Sequence, residues 1–156
     1  MLKIGIIKER KSPPDERVPL SPEQVATLNK ENSDVKIVVE SSDIRRFKDK
    51  EYAELGVEVV SDVSDCDVLM GVKEVPKEAL ISNKTYFFFS HTIKMQPYNK
   101  ALLQKVMEKK IRLIDYECLT ASNGPRLIGF GRYAGIVGTY NAFLAWGKRN
   151  KSFDLK

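Results

Sequence analysis

The chain has 156 residues, 42% hydrophobic and 30% charged, a length and mixture that carry one compact globular domain and exclude a disordered or fibrous chain. The net charge of +5 is modest and dispersed, with local concentrations only at Arg45-Arg46 and from Lys148 to Lys156. No aromatic-interleaved basic groove accompanies it, which argues against nucleic acid and leaves anionic small molecules as suitable partners.

Lys3 to Ile7 is a compact β-branched run that predicts a buried first strand. The following KERKSPPDERVPLSP has prolines at 13, 14, 19 and 22, so neither strand nor helix continues through it and an ordered loop is expected. Ser21-Pro22-Glu23-Gln24 then reads as a helix start, with Ser as N-cap, Pro at the first helical position and Gln24 closing a capping box. Val35 to Val39 predicts a second strand, Lys50 to Leu55 a short helix closed by Gly56, and Val57 to Val60 a further strand. DVLMGVKEVP, residues 67–76, and TYFFF, from Thr85, predict two more. A helix from Gln96 or Pro97 with Leu102, Leu103, Val106 and Met107 as its apolar positions leads into a last strand at Ile111. Strands and helices alternating at this spacing imply βαβ units. The expected fold is α/β, Rossmann-like or flavodoxin-like, a mostly parallel sheet with helices on both faces.

In such a sheet the carboxyl ends of the strands hold the ligand-contacting groups. Three strand ends here carry titratable residues: Lys73 and Glu74, His91, and Asp115 with Glu117. His91 is the chain's single histidine, and imidazole titrates where proton transfer near neutral pH needs it. A lone histidine also serves as a structural residue, and Lys-Glu pairs are common on solvated loops, so it is the convergence of the three ends that makes a candidate site. Cys66 and Cys118 lie 52 positions apart with no CxxC and no second histidine, which points to buried thiols rather than a disulfide or a metal site.

After the turn at Ser122-Asn123-Gly124-Pro125, RLIGF suggests a short strand, and Tyr133 to Gly147 contains no charged residue. That run falls short of the about 20 residues a membrane span needs, and a buried helix with Gly135 and Gly138 at close contacts is expected. Gly129, Gly131 and Gly135 are spaced one residue too long for a dinucleotide fingerprint, and no acidic residue stands about 20 positions on. The apolar run near the amino terminus is too short for a secretory signal, so a cytoplasmic protein without membrane attachment is expected. The domain is expected over 1–147, with 148–156 as the stub of a linker.

The segments KIGIIKE, DERVPLSPEQV, GVKEVP, KTYFFFSHTIKMQP, IRLIDYE and RLIGFGRYAGIVGTYNA together resemble one family across essentially the whole chain. It is the amino-terminal domain shared by alanine dehydrogenase, the nicotinamide nucleotide transhydrogenase alpha subunit and the lysine-forming saccharopine dehydrogenases with the related lysine-ketoglutarate reductases. FFSHTIKxQ, IRLIDYE and the FGxxAGxxG run are similar to the saccharopine and lysine-ketoglutarate reductase branch.

The resemblance implies an NAD(P)-dependent oxidoreductase with its active site between two domains, of which this chain is the substrate-side one. NAD(H) or NADP(H) would be bound mainly by a domain not present here, and the chain alone would be inactive. Lys73 and His91 match the acid-base pair, Glu74 and Glu117 the glutamates that tune it, Arg17 the substrate-carboxylate anchor, and Arg126 an arginine near the bound ligands. The physical case agrees. A guanidinium offers a carboxylate two parallel donors, and condensation of an amine with a 2-oxo acid moves protons on nitrogen and oxygen. The expected substrates are lysine and 2-oxoglutarate. The alternatives are reductive amination of pyruvate and a non-catalytic ligand-binding or regulatory module of the same fold. Self-association through the 133–147 helix is a further expectation, since uncovered apolar surface tends to pair.

Overall fold

The structure, a computed structural model, describes residues 1–153; the last three residues of the expected linker lie outside the described ones. Contacts divide the chain into two compact units, residues 1–119 and the residues from Thr120 on.

The first unit is built on six parallel strands: β1 (Leu2–Ile6), β2 (Val35–Glu40), β3 (Val59–Val60), β4 (Val68–Lys73), β5 (Thr85–Phe89) and β6 (Arg112–Asp115). They lie in the order β3-β2-β1-β4-β5-β6. The chain winds outward from β1 to β3, returns past β1 to β4, and runs out to β6. This is the doubly wound α/β sheet that the alternation of elements predicts, and its switch point falls between β1 and β4.

Consecutive apolar residues in a strand point to opposite faces, so a run such as IVV in β2 requires cover on both. Ile37 and Val39 enter one core with Val25 of α1 (Pro22–Glu31) and Tyr52 of α2 (Asp49–Glu54). Val38, between them, enters the other core with Leu102 and Val106 of α3 (Lys100–Glu108). Ile6 and Ile7 divide in the same way.

The helix termini follow their local sequence. Ser21 caps α1: its Oγ accepts from the Gln24 amide at 3.4 Å, while Gln24 Oε1 accepts from the Ser21 amide at 2.8 Å. A 3-10 turn at Pro97–Asn99 precedes α3. The four apolar positions expected together on that helix divide, with Leu102 and Val106 buried and Leu103 and Met107 exposed. The reason is angular: i and i+1 stand about 100° apart around a helix, too far for both to face one core.

The second unit corrects two expectations. RLIGF forms no strand, only an isolated antiparallel bridge between Thr120 and Arg126. The helix α4 (Gly131–Asn150) is not buried: Tyr133, Ile136, Val137, Tyr140, Phe143 and Trp146 are all exposed. Among the described residues, a Cβ added at Gly135 or Gly138 would meet nothing within 4 Å, so the expected close contacts are not formed there. Within its unit the helix meets Phe153, whose ring lies 5.7 Å from that of Trp146, but this covers only its last turns. Of the two thiols expected to be buried, only one is. Cys66 is fully buried, with burial pushing it up to about 11, while Cys118 is exposed.

Candidate functional site

Because every strand pair is parallel, the carboxyl ends of β1, β4, β5 and β6 share one edge of the sheet. β1 leads into the segment that carries Arg17, β4 ends on Lys73, β5 leads to His91 and β6 to Glu117. Lys73 is the register partner of Phe89, two residues before His91, so the two candidate proton carriers stand at neighbouring strand ends.

His91 has a left-handed backbone, φ 58° and ψ 10°, a conformation that costs a non-glycine residue energy and persists only where the surroundings hold it. They do so here. Its carbonyl accepts from the Asn99 side chain at 3.0 Å and from the Lys94 amide at 3.1 Å, and its ring stacks on Phe89 with centroids 6.3 Å apart. Beneath it, buried Ser90 donates to buried Asp115 and contacts Thr92 at 2.8 Å. Asp115 therefore supports the turn, and it is Glu117 that reaches the imidazole.

His91 Nδ1 lies 2.8 Å from Glu117 Oε2 and 3.2 Å from Lys94 Nζ. One ring nitrogen cannot both donate to a carboxylate and accept from an ammonium. Lys94 already has Glu117 Oε1 at 3.1 Å, so the network assigns the Nδ1 proton to the bond with Glu117 and leaves Nε2 for other chemistry. Glu117 is only 7% exposed. Burial alone would raise it, but the hydrogen bonds from His91 and Lys94 outweigh that and hold it below the ordinary carboxylate range.

At the switch point the pattern differs. Glu9 is buried, and its two oxygens accept from the amides of Val72 at 2.6 Å and Lys73 at 3.0 Å. Burial raises Glu9, opposed by those two amides. Glu74 pairs with Lys11, and its Oε2 is buried with no hydrogen-bond partner among the described residues. Arg17 forks onto Asp15, Nε at 2.9 Å and Nη2 at 2.5 Å. That hydrogen bonding holds Asp15 below its usual value against burial, and the charge of Lys73 adds to the effect. Arg17 and Lys73 thus act on one carboxylate.

The family described as "Alanine dehydrogenase/PNT, N-terminal domain" matches residues 5–137. The chain belongs to it. The rat protein named alpha-aminoadipic semialdehyde synthase, mitochondrial, is 39% identical over 86% of this chain, and its Arabidopsis thaliana counterpart 35% over 94%. The match spans 14% of the length of each of these relatives. A saccharopine dehydrogenase [NAD(+), L-lysine-forming] of Schizosaccharomyces pombe is 30% identical over 94% of this chain and 42% of its own. Among solved structures, an L-alanine dehydrogenase superposes with a TM-score of 0.62 at 21% identity, covering 80% of this chain and 35% of its own. The Sinorhizobium meliloti transhydrogenase gives 0.60 at 21% identity, over 74% and 35%. These two structures share the fold of this alanine dehydrogenase/PNT domain.

Several members of the site are not marked by any pattern in the sequence. Lys94 was visible as the lysine three positions after His91, but its role depends on a 3-10 turn that folds it back. Lys11 and Glu9 stand in the charged stretch after β1, where nothing in the spacing distinguishes a buried acid from solvated ones. Arg126 belongs to the second unit, in the bridge with Thr120. After β1, where a doubly wound sheet holds a pyrophosphate on a glycine turn and helix start, this chain has Ser12-Pro13-Pro14, and no Cβ at Gly129, Gly131 or Gly135 would crowd anything. No group of three or more His, Cys, Asp or Glu placed to hold a metal exists among the described residues, and no helix there is long and apolar enough to cross a membrane.

Glu117 yields a pH-dependent prediction. Its folded-state value lies below the unfolded one of about 4.3, so its ionised form stabilises the fold fully above that pH, and the contribution is lost as pH falls through the lower folded value. Glu117→Gln should therefore cost about 1.5 kcal/mol at neutral pH, the low end for hydrogen bonds to charged groups because Lys94 is half exposed. The gap to the parent should close on acidification below about pH 4. Urea unfolding of both chains across that range checks this, and a gap independent of pH would refute it.

Proposed function

We propose that the chain is the substrate-side domain of an NAD(P)-dependent oxidoreductase acting on CH-NH groups, one that reversibly condenses lysine with 2-oxoglutarate. The observation that carries this reading is the His91, Glu117 and Lys94 cluster on a strained turn, one strand from Lys73. The names of the relatives, one of them a lysine-forming saccharopine dehydrogenase, supply the substrate class. The nicotinamide supplies the hydride and would sit on a domain outside this chain, so the 156 residues alone should not catalyse.

The residues themselves handle binding and protons. With Nδ1-H donated to Glu117, the Nε2 lone pair of His91 can take a proton from the attacking amine as the C-N bond forms, then return it to the departing hydroxyl. Glu117 stabilises the imidazolium between these steps, and Lys94 limits how far it does so. Lys73 stands at the next strand end for the proton on the substrate oxygen. Arg17 would exchange Asp15 for a substrate carboxylate, one fork replacing another.

The test is a polypeptide joining this domain to its nucleotide-binding domain, assayed with lysine, 2-oxoglutarate and reduced nicotinamide. Lysine-dependent oxidation of the nicotinamide is expected, and its absence with activity on pyruvate and ammonia instead would overturn the substrate assignment. Arg17→Lys should weaken the oxo acid by about 1.5 to 3 kcal/mol with little effect on the nicotinamide. Equal weakening of both ligands would show that Arg17 only braces its loop. The exposed apolar stripe of α4 should also make the isolated chain self-associate. In sedimentation, Phe143→Glu should shift the chain toward monomer; a parent chain that is already monomeric rules this out.

A further inference from the structure

We propose that Glu9 is the positioning residue of Lys73: its carboxylate takes over from the main chain where β1 stops and fixes the end of β4 on which Lys73 stands. This rests on the reading of Lys73 as a proton carrier. The ladder between β1 and β4 pairs Ile4 to Ile6 with Val68 to Met70, and its last bond runs from the Ile7 amide to the Met70 carbonyl at 2.9 Å. Past that point the chain after β1 turns away, and the amides of Val72 and Lys73 would face a buried region without partners, each at a cost comparable to a lost hydrogen bond. Glu9 Oε1 and Oε2 accept one each, at 2.6 and 3.0 Å.

Two further features mark this as a built junction. The pairing of β4 with β5 shifts register between Met70 and Lys73, so the strand there is not held by a regular ladder on its other side either. A Cβ at Gly71 would lie 2.9 Å from Ile7 and 3.2 Å from Glu9 Oε1, so a side chain there would press on Ile7 first and on the carboxylate as well. Glu9 is 8% exposed, too buried to act as an ordinary solvated acid. It also opens the segment that carries Arg17, so one side chain ties the predicted anchor's loop to the predicted proton carrier's strand.

The decisive variants are Glu9→Gln, which keeps the shape but turns an NH2 toward one of the two amides, and Glu9→Asp, which keeps the charge but is one methylene too short to reach both. In the two-domain enzyme each should lower kcat roughly 100-fold, the loss a displacement of about 1 Å can cause, with KM for either substrate unchanged. In the isolated chain, the amide proton resonances of Val72 and Lys73 should move together. If Glu9→Gln does not fold, Glu9→Asp carries the same test. Unmoved amides, or Glu9→Asp behaving as the parent in both measurements, overturn the proposal. If both amides move while kcat stays at the parent value, it is also overturned, and Lys73→Gln then says why. An inactive Lys73→Gln means that Lys73 is used without needing this clamp, whereas an active one means that the acid-base reading itself was wrong.

Discussion

Replacing His91 by Asn in the full enzyme should lower turnover about 100-fold or more and leave the fold intact, the usual size of a general acid-base contribution. Asparagine suits the test for a backbone reason. With φ at 58° the position is left-handed, where asparagine is among the most tolerant residues, so the substitution removes the titrating ring without adding strain. A β-branched residue there would confound lost chemistry with a distorted turn. Far-UV circular dichroism should match the parent and the melting temperature should fall by only a few degrees for the lost hydrogen bond to Glu117, while kcat falls. A variant with parental turnover would remove His91 from the chemistry and leave it as a support between Phe89, Asn99 and Glu117.

Phe88→Ala should destabilise the chain by about 3 to 5 kcal/mol. The side chain is fully buried, edge-on to Tyr86 at 6.0 Å, in the core that also holds Leu102 and Val106 of α3. Close-packed surroundings of this kind collapse only partly around a deleted ring, so the cavity adds to the lost burial. Phe143→Ala on α4, where the ring is 57% exposed, should change stability by no more than about 0.5 kcal/mol. Urea midpoints of the two variants measure the contrast. A loss below about 1 kcal/mol at Phe88 would mean that the sheet is not the stabilising core.

The element boundaries explain why so much of the sheet was legible. β2 shows as a continuous apolar run because it is covered on both faces, and α1 shows because Ser21 and Gln24 form its cap through contacts three residues apart. The candidate site was legible to the extent that it depends on topology. Parallel strands deliver their following residues to one edge, so Lys73, His91 and Glu117 could be gathered from strand ends alone. Glu74 shows the limit: adjacent to Lys73 in sequence, it pairs instead with Lys11, 63 positions away.

α4 marks a different limit. An uncharged run with three glycines has the composition of a buried helix, but burial requires a partner surface, and composition does not say whether the partner lies in the same chain. Cys118 is a lesser case of the same problem.

By itself the sequence determined the strands, the capped helix, the doubly wound class and the edge on which the charged residues collect, because these follow from local periodicity, capping and strand direction. The tertiary structure alone decided who partners whom: Nδ1 of His91 with Glu117, 26 positions on, Lys94 folded back to the same carboxylate, and Glu9 under Lys73. Those pairings depend on side chains meeting across a sheet within about 3 Å, and no pattern along the chain encodes a distance across it.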